Sequence, residues 1–136
     1  MRIVAGFLRS REGRAALTSA ISEARLRDGE LLVVHSRRGD DRDDPEQTLS
    51  YREELEQLQL RIEDSHVTYR LVEYARGNAP AEDLLQAAED EQADLIVIGI
   101  RRRSAVGKLI MGSNSQDVLL NANCAVLAVK ADLANE

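Results

Sequence analysis

The residues best suited to bind a ligand lie in one segment, between Asp94 and Ser115. An apolar run ends at Gly99, a basic loop with Arg101-Arg102-Arg103 follows, and Gly112-Ser113-Asn114-Ser115 begins the next predicted helix. Unpaired backbone N–H groups and the positive end of the helix dipole meet at such a helix start. A strand, a loop with glycine and cations, and a hydroxyl-rich helix start therefore predict a cradle for an anion such as phosphate.

Alternating strand and helix patterns position this segment. Short apolar runs bounded by charged or turn residues predict strands, and apolar residues at steps of three and four predict helices. The predicted strands are Arg2–Phe7, Glu30–His35, Val67–Ala75, Leu95–Ile98 and Ala125–Lys130, and the predicted helices are Glu12–Arg27, Pro45 to about Asp64, Ala81–Glu91 and Ser113–Ala122. This alternation is typical of a single α/β domain, residues 1–136, with an open five-stranded parallel sheet, Rossmann-like, and right-handed crossovers.

Composition limits the classes of function. With 136 residues, 43% of them apolar and 31% charged, the chain is predicted to form one globular domain with a real core. The net charge of −6 argues against non-specific binding of nucleic acid, and no apolar run approaches the ~20 residues of a membrane span. A single cysteine and a start without the layout of a signal peptide indicate a cytoplasmic protein.

Several known motifs are excluded by their spacing. Gly107-Lys108 is followed by Leu109, where a Walker loop needs Ser or Thr, and the residues after the first strand do not match G-x-G-x-x-G. The same residues lack the acids of a receiver domain. Asp40–Asp44 lacks the ligand spacing of a calcium loop, and His35 stands without other metal ligands, so we expect a packed or loop-bonding histidine. Cys124, before an apolar strand, is expected to be a small core residue.

The glycine segment resembles the signature of the universal stress proteins. That signature consists of Gly, two residues, Gly, nine residues, and then Gly followed by Ser or Thr. Gly99, Gly112 and Ser113 match it, whereas Arg102 stands at its second glycine. The resemblance extends from Ile3-Val4-Ala5 to Cys124-Ala125-Val126-Leu127-Ala128-Val129. It implies the strand order 3-2-1-4-5 with helices on both faces, and hence a ligand crevice between strands 1 and 4.

The resemblance also implies a bound adenine nucleotide, ATP or a related one, with or without Mg²⁺. The ribose and phosphates would lie on the glycine loop and on the helix start beyond it, at Ile98, Gly99, Arg102, Gly112, Ser113, Asn114 and Ser115. The adenine edge would meet the backbone of Ser36. A plain helix cap is the other interpretation of Gly112-Ser113, because Ser and Asn cap helices in general. The full spacing from Gly99 favours the ligand.

Two positions depart from the family pattern. Leu8 stands where members often have an Asp that contacts the adenosine, and Arg102 replaces a glycine. Glycine allows close backbone approach to phosphates, whereas arginine offers a charged fork that pairs with phosphate oxygens. Arg102 is therefore either a phosphate ligand or an obstruction.

The sequence shows no nucleophile–base pair and no carboxylate pair, so we predict a nucleotide-binding stress-response protein that is not an enzyme. Any hydrolysis of ATP is expected to be slow and incidental; a slow ATPase or phosphotransferase is the weakest alternative. The main alternative is a nucleotide-free interaction module of the same family that recruits protein partners. The resemblance implies a homodimer paired through the last strand, Ala125–Val129, and an apolar edge strand needs such cover.

Overall fold

A computed structural model describes residues 1–36, 45–74, 78–102 and 109–132, with the backbone alone at Ser36, Arg102, Leu109, Ile110 and Asp132. The described strands are β1 (Arg2–Gly6), β2 (Glu30–Ser36), β3 (Thr68–Tyr74), β4 (Leu95–Arg102), β5 (Leu109–Ile110) and β6 (Ala125–Asp132). The described helices are α1 (Arg11–Arg27), α2 (Pro45–Asp64), α3 (Pro80–Asp90) and α4 (Ser113–Asn121). Each predicted helix and strand is present. The predicted loop at 37–44, most of the basic loop (103–108) and the tail from 133 lie outside the described residues.

Five of these strands form the predicted parallel sheet. β1 pairs in parallel with β2 and β4, β3 pairs with β2, and β6 pairs with β4. The order β3-β2-β1-β4-β6 is the predicted order 3-2-1-4-5, with β6 as the fifth predicted strand. β5 is an addition: its two residues pair antiparallel with Arg101 and Arg102, beyond the point where β1 ends. So short a strand carries no periodicity that a sequence pattern could reveal.

β4 is longer than the apolar pattern predicts. The predicted strand stops at Ile98, but pairing with β6 continues in register from Leu95 to Arg102. Ile98 and Gly99 therefore lie inside a strand and not in a loop, which corrects the predicted position of the glycine loop. Backbone pairing with β6 keeps Gly99–Arg102 in the strand, although Arg101 and Arg102 carry charged side chains.

Helices cover both faces of the sheet, as predicted. α1 and α2 pack on one face, with strand residues such as Ile3 and Leu31, and α3 and α4 pack on the other, with Val4 and Leu32. Neighbouring strand residues thus enter opposite cores, which explains the unbroken apolar runs in the sequence. The residues of α1 predicted to face inward are all buried: Ala16, Leu17, Ala20, Ile21 and Ala24. Within the described residues no helix has both the length and the apolar character needed to cross a membrane.

The first turn of α1 packs directly against β4, and glycine makes this contact possible. A Cβ atom on Gly99 would overlap the backbone oxygen of Glu12 in that turn. A Cβ on Gly13 would likewise overlap the backbone of Leu8, in the connection from β1. The Gly13 N–H donates to the N-cap hydroxyl of Ser10 at 3.1 Å. The two glycines therefore bring the start of α1 against both β4 and the β1–α1 connection.

We expect Gly99→Ala to lower the free energy of unfolding by about 1–3 kcal/mol, the usual cost of overpacking, because the obstacle is backbone and not a flexible side chain. Gly112→Ala is the matched control, since a Cβ there has nothing within 4 Å and the φ of −71° suits any residue. Its cost should stay below about 1 kcal/mol. Urea unfolding followed by circular dichroism measures both, and equal losses would contradict the packing argument.

Candidate functional site

Two adjoining cavities lie at the carboxyl ends of the strands. The larger, about 460 Å³, lies between the starts of α1 and α4 and the end of β4. The smaller, about 230 Å³, lies between the β1–α1 connection, the end of β2, α2 and the start of α3. Their shared walls are Gly6, Leu8, Arg9, Pro80 and Leu84. They form one crevice at the switch between β1 and β4, the location expected for a ligand in an open parallel sheet.

The start of α4 faces the larger cavity with an open backbone. Gly112 is the N-cap residue and has no side chain with which to cap this end of the helix. The cavity wall includes Gly112, Ser113, Asn114 and Ser115, the four residues that the sequence predicts at this helix start. The first N–H groups of a helix have no partner within the helix. Donors and the positive end of the helix dipole are therefore directed at the cavity.

Two of these four residues hold α4 in place through their side chains. The Asn114 side-chain oxygen accepts a hydrogen bond from the Ala81 N–H at 3.1 Å, which caps the start of α3 as well. The Ser115 hydroxyl donates to the backbone oxygen of Gly99 at 3.3 Å. Gly112 and Ser113 are exposed. These two residues can therefore contact a ligand without breaking the hydrogen bonds of Asn114 and Ser115.

Gly99 has a packing role in addition to its predicted place at the site. It lines the larger cavity together with Ile98. Its missing side chain makes room for the backbone of Glu12. Ile98 is a buried residue of the core shared with α3 and α4. Both residues shape the cavity through packing.

Arg101 and Glu12 place opposite charges in the wall of the larger cavity. The Arg101 guanidinium donates to the Glu12 carboxylate at 3.1 Å. Burial raises the pKa of Glu12, but hydrogen bonds from its own backbone N–H and from Arg101 outweigh burial, so the pKa lies below its ordinary value. The sequence argument treated Arg101 only as part of a basic run and did not identify Glu12. The two residues are 89 positions apart in the chain, so no local sequence pattern indicates that they pair.

Arg102 and Ser36 lie at the ends of their strands. Arg102 is the last residue of β4 and pairs with Leu109 and Asp132 in the sheet. Ser36 is the last residue of β2 and pairs with Tyr74. The wall of the smaller cavity includes Val34 and His35, just before Ser36.

Aromatic and charged groups line the smaller cavity. The rings of Phe7 and Tyr51 meet edge to face at 5.0 Å. The Tyr51 hydroxyl lies 3.2 Å from Nδ1 of His35, so this histidine is bonded to a neighbouring helix, in agreement with the predicted packed or loop-bonding role. The Arg9 guanidinium lies 5.9 Å from the Tyr51 ring centre, in the range of a cation–π contact.

Arg9 is held in this wall by Glu54 of α2. Its Nε lies 3.2 Å from Oε1 of Glu54, and Arg14 donates to Oε2 of the same carboxylate at 3.0 Å. The Arg14 guanidinium, with a further contribution from Arg9, lowers the pKa of Glu54 against the opposing effect of burial. Through Arg14, the Glu54 carboxylate joins α2 to the start of α1.

Asp83 is the functional candidate that the sequence argument missed. It lies on the inner face of α3, lines the smaller cavity and is only 2% exposed. Its Oδ1 accepts a hydrogen bond from Asn78 at 3.2 Å, and its Oδ2 has no hydrogen-bond partner among the described residues. Burial and the charges of Asp90 and, to a lesser extent, Asp83 raise the pKa of Tyr74 to about 12. One signal was available: Asp83 precedes buried Ala87 by four residues, and so shares its helix face.

The remaining predicted candidates behave as packing or surface residues. Cys124 is half-buried against the core shared with α3 and α4, and burial raises its thiol pKa, with a smaller contribution from Asp94. His66 is exposed. Across the described ranges no group of three or more His, Cys, Asp or Glu is arranged to hold a metal ion.

Comparison with known proteins gives consistent matches. The profile of the Universal stress protein family matches residues 1–130. A universal stress protein of Mycolicibacterium smegmatis is 39% identical over 128 residues, which cover 94% of this chain and 96% of that protein. A universal stress protein structure from Archaeoglobus fulgidus superposes with a TM-score of 0.76 at 37% identity, covering 96% of this chain and 98% of that one. Another from the same organism, in complex with dAMP, has a TM-score of 0.71 at 30% identity and the same coverage.

The Glu54 pair predicts a dependence of stability on pH. Because the folded-state pKa of Glu54 is lowered, its contribution is present above the unfolded-state pKa and is lost as the pH falls through the folded-state pKa. At pH 7, Glu54→Gln should therefore be less stable than the wild type, by up to about 1 kcal/mol for so exposed a pair. In acid, below the folded-state pKa, the difference should vanish. Thermal unfolding across pH measures it, and Glu53→Gln, which removes an exposed neighbouring charge, should show no such convergence.

Proposed function

Since the chain belongs to the universal stress protein family, we propose that it binds an adenine nucleotide in the crevice formed by the two cavities and acts in the stress response through that binding. The observation that carries the proposal is the open glycine at the start of α4. A role in the cytoplasm, as predicted from the single cysteine, is part of the same proposal.

Nothing in the described residues requires glycine at position 112. Its φ of −71° and ψ of 166° suit any residue, and a Cβ there would meet none of the described atoms within 4 Å. A side chain would instead occupy the space in front of the first N–H groups of α4. Phosphates bind at helix starts through these N–H groups and the helix dipole, and they need an unobstructed approach. The absence of a side chain is thus explained by a ligand better than by packing.

The phosphates would be held by three kinds of donor. The first turn of α4 offers backbone N–H groups, and Ser113 offers an exposed hydroxyl. Arg101 offers a guanidinium in the cavity wall, and we propose Arg102, next in the strand, as a further phosphate ligand. Glu12 opposes an added negative charge, but its bond with Arg101 offsets part of this repulsion.

The smaller cavity would receive the nucleoside. A relative that is 30% identical has been solved in complex with dAMP, which supports an adenine nucleoside monophosphate as the smallest ligand. Phe7 and Tyr51 supply apolar surface for a flat base, and we propose that the backbone of Ser36 meets the adenine edge. Leu8, which lines both cavities, adds apolar surface in place of the acid found in other members.

ATP accompanied by Mg²⁺ is the fuller form of this proposal. Because the described residues hold no cluster of metal ligands, the ion would be held chiefly by the phosphates themselves. The proposal is one of binding, with any hydrolysis of ATP slow and incidental.

We expect Gly112→Val to abolish binding of ATP and AMP, because its side chain fills the approach to the helix start. Ser113→Ala should weaken binding by about 0.5–1.5 kcal/mol, the net worth of one hydrogen bond. Calorimetric titration measures both, after thermal unfolding has shown that each variant is folded. Adenosine, which has no phosphate, should lose much less affinity in Ser113→Ala.

Unchanged affinity in both variants would remove the start of α4 from the site. A nucleotide retained during purification would support the proposal at once: the chain has no Trp and three Tyr, so bound adenine would clearly raise the ratio of absorbance at 260 nm to that at 280 nm.

The edge strand β6 favours a second proposal, a homodimer. Among the described strands β6 pairs only with β4, along its whole length, so its other edge has no partner. Its apolar side chains are only half-buried: Val126, Leu127, Ala128 and Val129. An uncovered apolar edge readily pairs with another chain. We propose that two chains pair symmetrically through Ala125–Val129, and this dimer is also the platform on which the nucleotide-free alternative would recruit protein partners.

Light scattering should give roughly twice the 15.1 kDa chain mass, and Val126→Lys should shift the mass towards one chain, because a charge at the paired edge would be buried. Val72→Lys is the matched control: Val72 is also half-buried against the same core, but lies on β3, at the opposite edge of the sheet. It should remain dimeric. A monomeric wild type at high micromolar concentration would defeat the proposal.

A further inference from the structure

The Asp83 carboxylate has one buried oxygen for which the described residues supply no hydrogen-bond partner. The residue is 2% exposed, and Oδ2 is buried without a hydrogen-bond partner among the described residues. An unsatisfied buried acceptor carries a substantial cost, and native proteins keep few of them. Asp83 lines the smaller cavity, so a donor on a molecule bound there is a candidate partner for this oxygen.

Neighbouring donors are directed elsewhere. The Tyr74 hydroxyl donates to Asp90 at 3.3 Å, and Arg9, in the wall of the same cavity, pairs with Glu54. Asn78 satisfies Oδ1 alone. The position of Asp83 in the first turn of α3 adds a favourable interaction with the helix dipole, but a dipole does not replace the missing hydrogen bond.

We propose that Asp83 is a ligand-binding residue that accepts a hydrogen bond from the exocyclic amine of the base, an inference that rests on the proposed binding of an adenine nucleotide. An ionised carboxylate only accepts hydrogen bonds. Adenine presents a donor at its amine, whereas hypoxanthine has a carbonyl oxygen at the same position, and two acceptors would repel each other. Asp83 thereby selects adenine over hypoxanthine in the smaller cavity.

The ribose 2′-hydroxyl is the other donor of a nucleoside. Three ligands separate the two sources: ATP, inosine triphosphate, which lacks the amine, and 2′-deoxyadenosine triphosphate, which lacks the hydroxyl. Substitution of Asp83 should lower the affinity only for the ligands that carry the amine.

Asp83→Asn is the sharpest variant, since it keeps the shape and an oxygen for Asn78 while it can place a donor at the position of Oδ2. Calorimetric titration should show a loss of about tenfold or more for ATP and for the deoxynucleotide, and an unchanged or increased affinity for inosine triphosphate. Asp83→Ala is the second variant and should lose affinity for the two adenine ligands but not for the inosine one. Glu89→Gln, an exposed acid on the same helix, is the charge-matched control and should change none of the three.

A second readout separates binding from folding. Asp83→Asn keeps the side-chain volume and an acceptor for Asn78, so its ligand-free melting temperature should stay close to that of the wild type, and weaker binding of the adenine ligands by this folded variant supports the proposal.

The possible failures are distinct. A wild type that binds none of the three ligands would overturn the proposed function and this inference together. A wild type that binds ATP while both Asp83 variants bind it equally well would overturn this inference alone. Equal losses for all three ligands, or a loss that disappears only with the deoxynucleotide, would overturn the assignment to the base amine.

Discussion

The backbone contact between Gly99 and Glu12 sets the distance between β4 and α1, and the crevice depends on that distance. A side chain at position 99 would overlap the first turn of the helix and move it away from the sheet. With the helix in place, Glu12 reaches Arg101, and Ser10 and Gly13 become part of the cavity wall. A steric requirement inside the fold thus determines the shape of an opening at its surface.

Gly99 also joins this contact to the start of α4. Its carbonyl oxygen accepts the Ser115 hydroxyl, and the adjacent Asn114 bonds to the start of α3. The starts of α1 and α4 therefore contact β4 at Gly99, and the start of α3 is joined to them through Asn114 of α4. The residues that make these ties are committed to the architecture, and the neighbouring Gly112 and Ser113 remain exposed. A rigid frame with a few unoccupied positions is the arrangement that binding sites require.

Most of the fold could be predicted from the sequence, because buried parallel strands and amphipathic helices have periodic patterns. The end of β4 could not, since pairing with β6 continues the strand through Arg101 and Arg102, where the apolar pattern has stopped. The start of α4 was predicted from the hydroxyl-rich run that begins at Gly112 and Ser113. The packing contact of Gly99 could not be predicted, because a sequence shows that a glycine is present but not which atoms come close to it.

The charged and buried partners of the site were harder to predict for a different reason. Glu12 meets Arg101, and Asp83 enters the smaller cavity, only after elements far apart in the chain have packed together. Such pairs depend on tertiary contacts that local periodicity does not encode. The one local sign was the spacing between Asp83 and Ala87, four residues apart, which places an acid on an apolar face of α3.

The attachment of α2 has a consequence for local stability. Within this helix the fully buried residues are Leu58 and Ile62, both in its second half, whereas Tyr51 and Glu54 attach the first half through a ring contact and ion pairs. Apolar burial holds a helix end more firmly than exposed ion pairs do, and ion pairs weaken with salt. Amide protons near Tyr51 should therefore exchange with solvent sooner than those near Ile62. One wall of the smaller cavity is thus the less firmly attached end of a helix, while another wall, at Gly6 of β1 and Val34 of β2, belongs to the buried sheet.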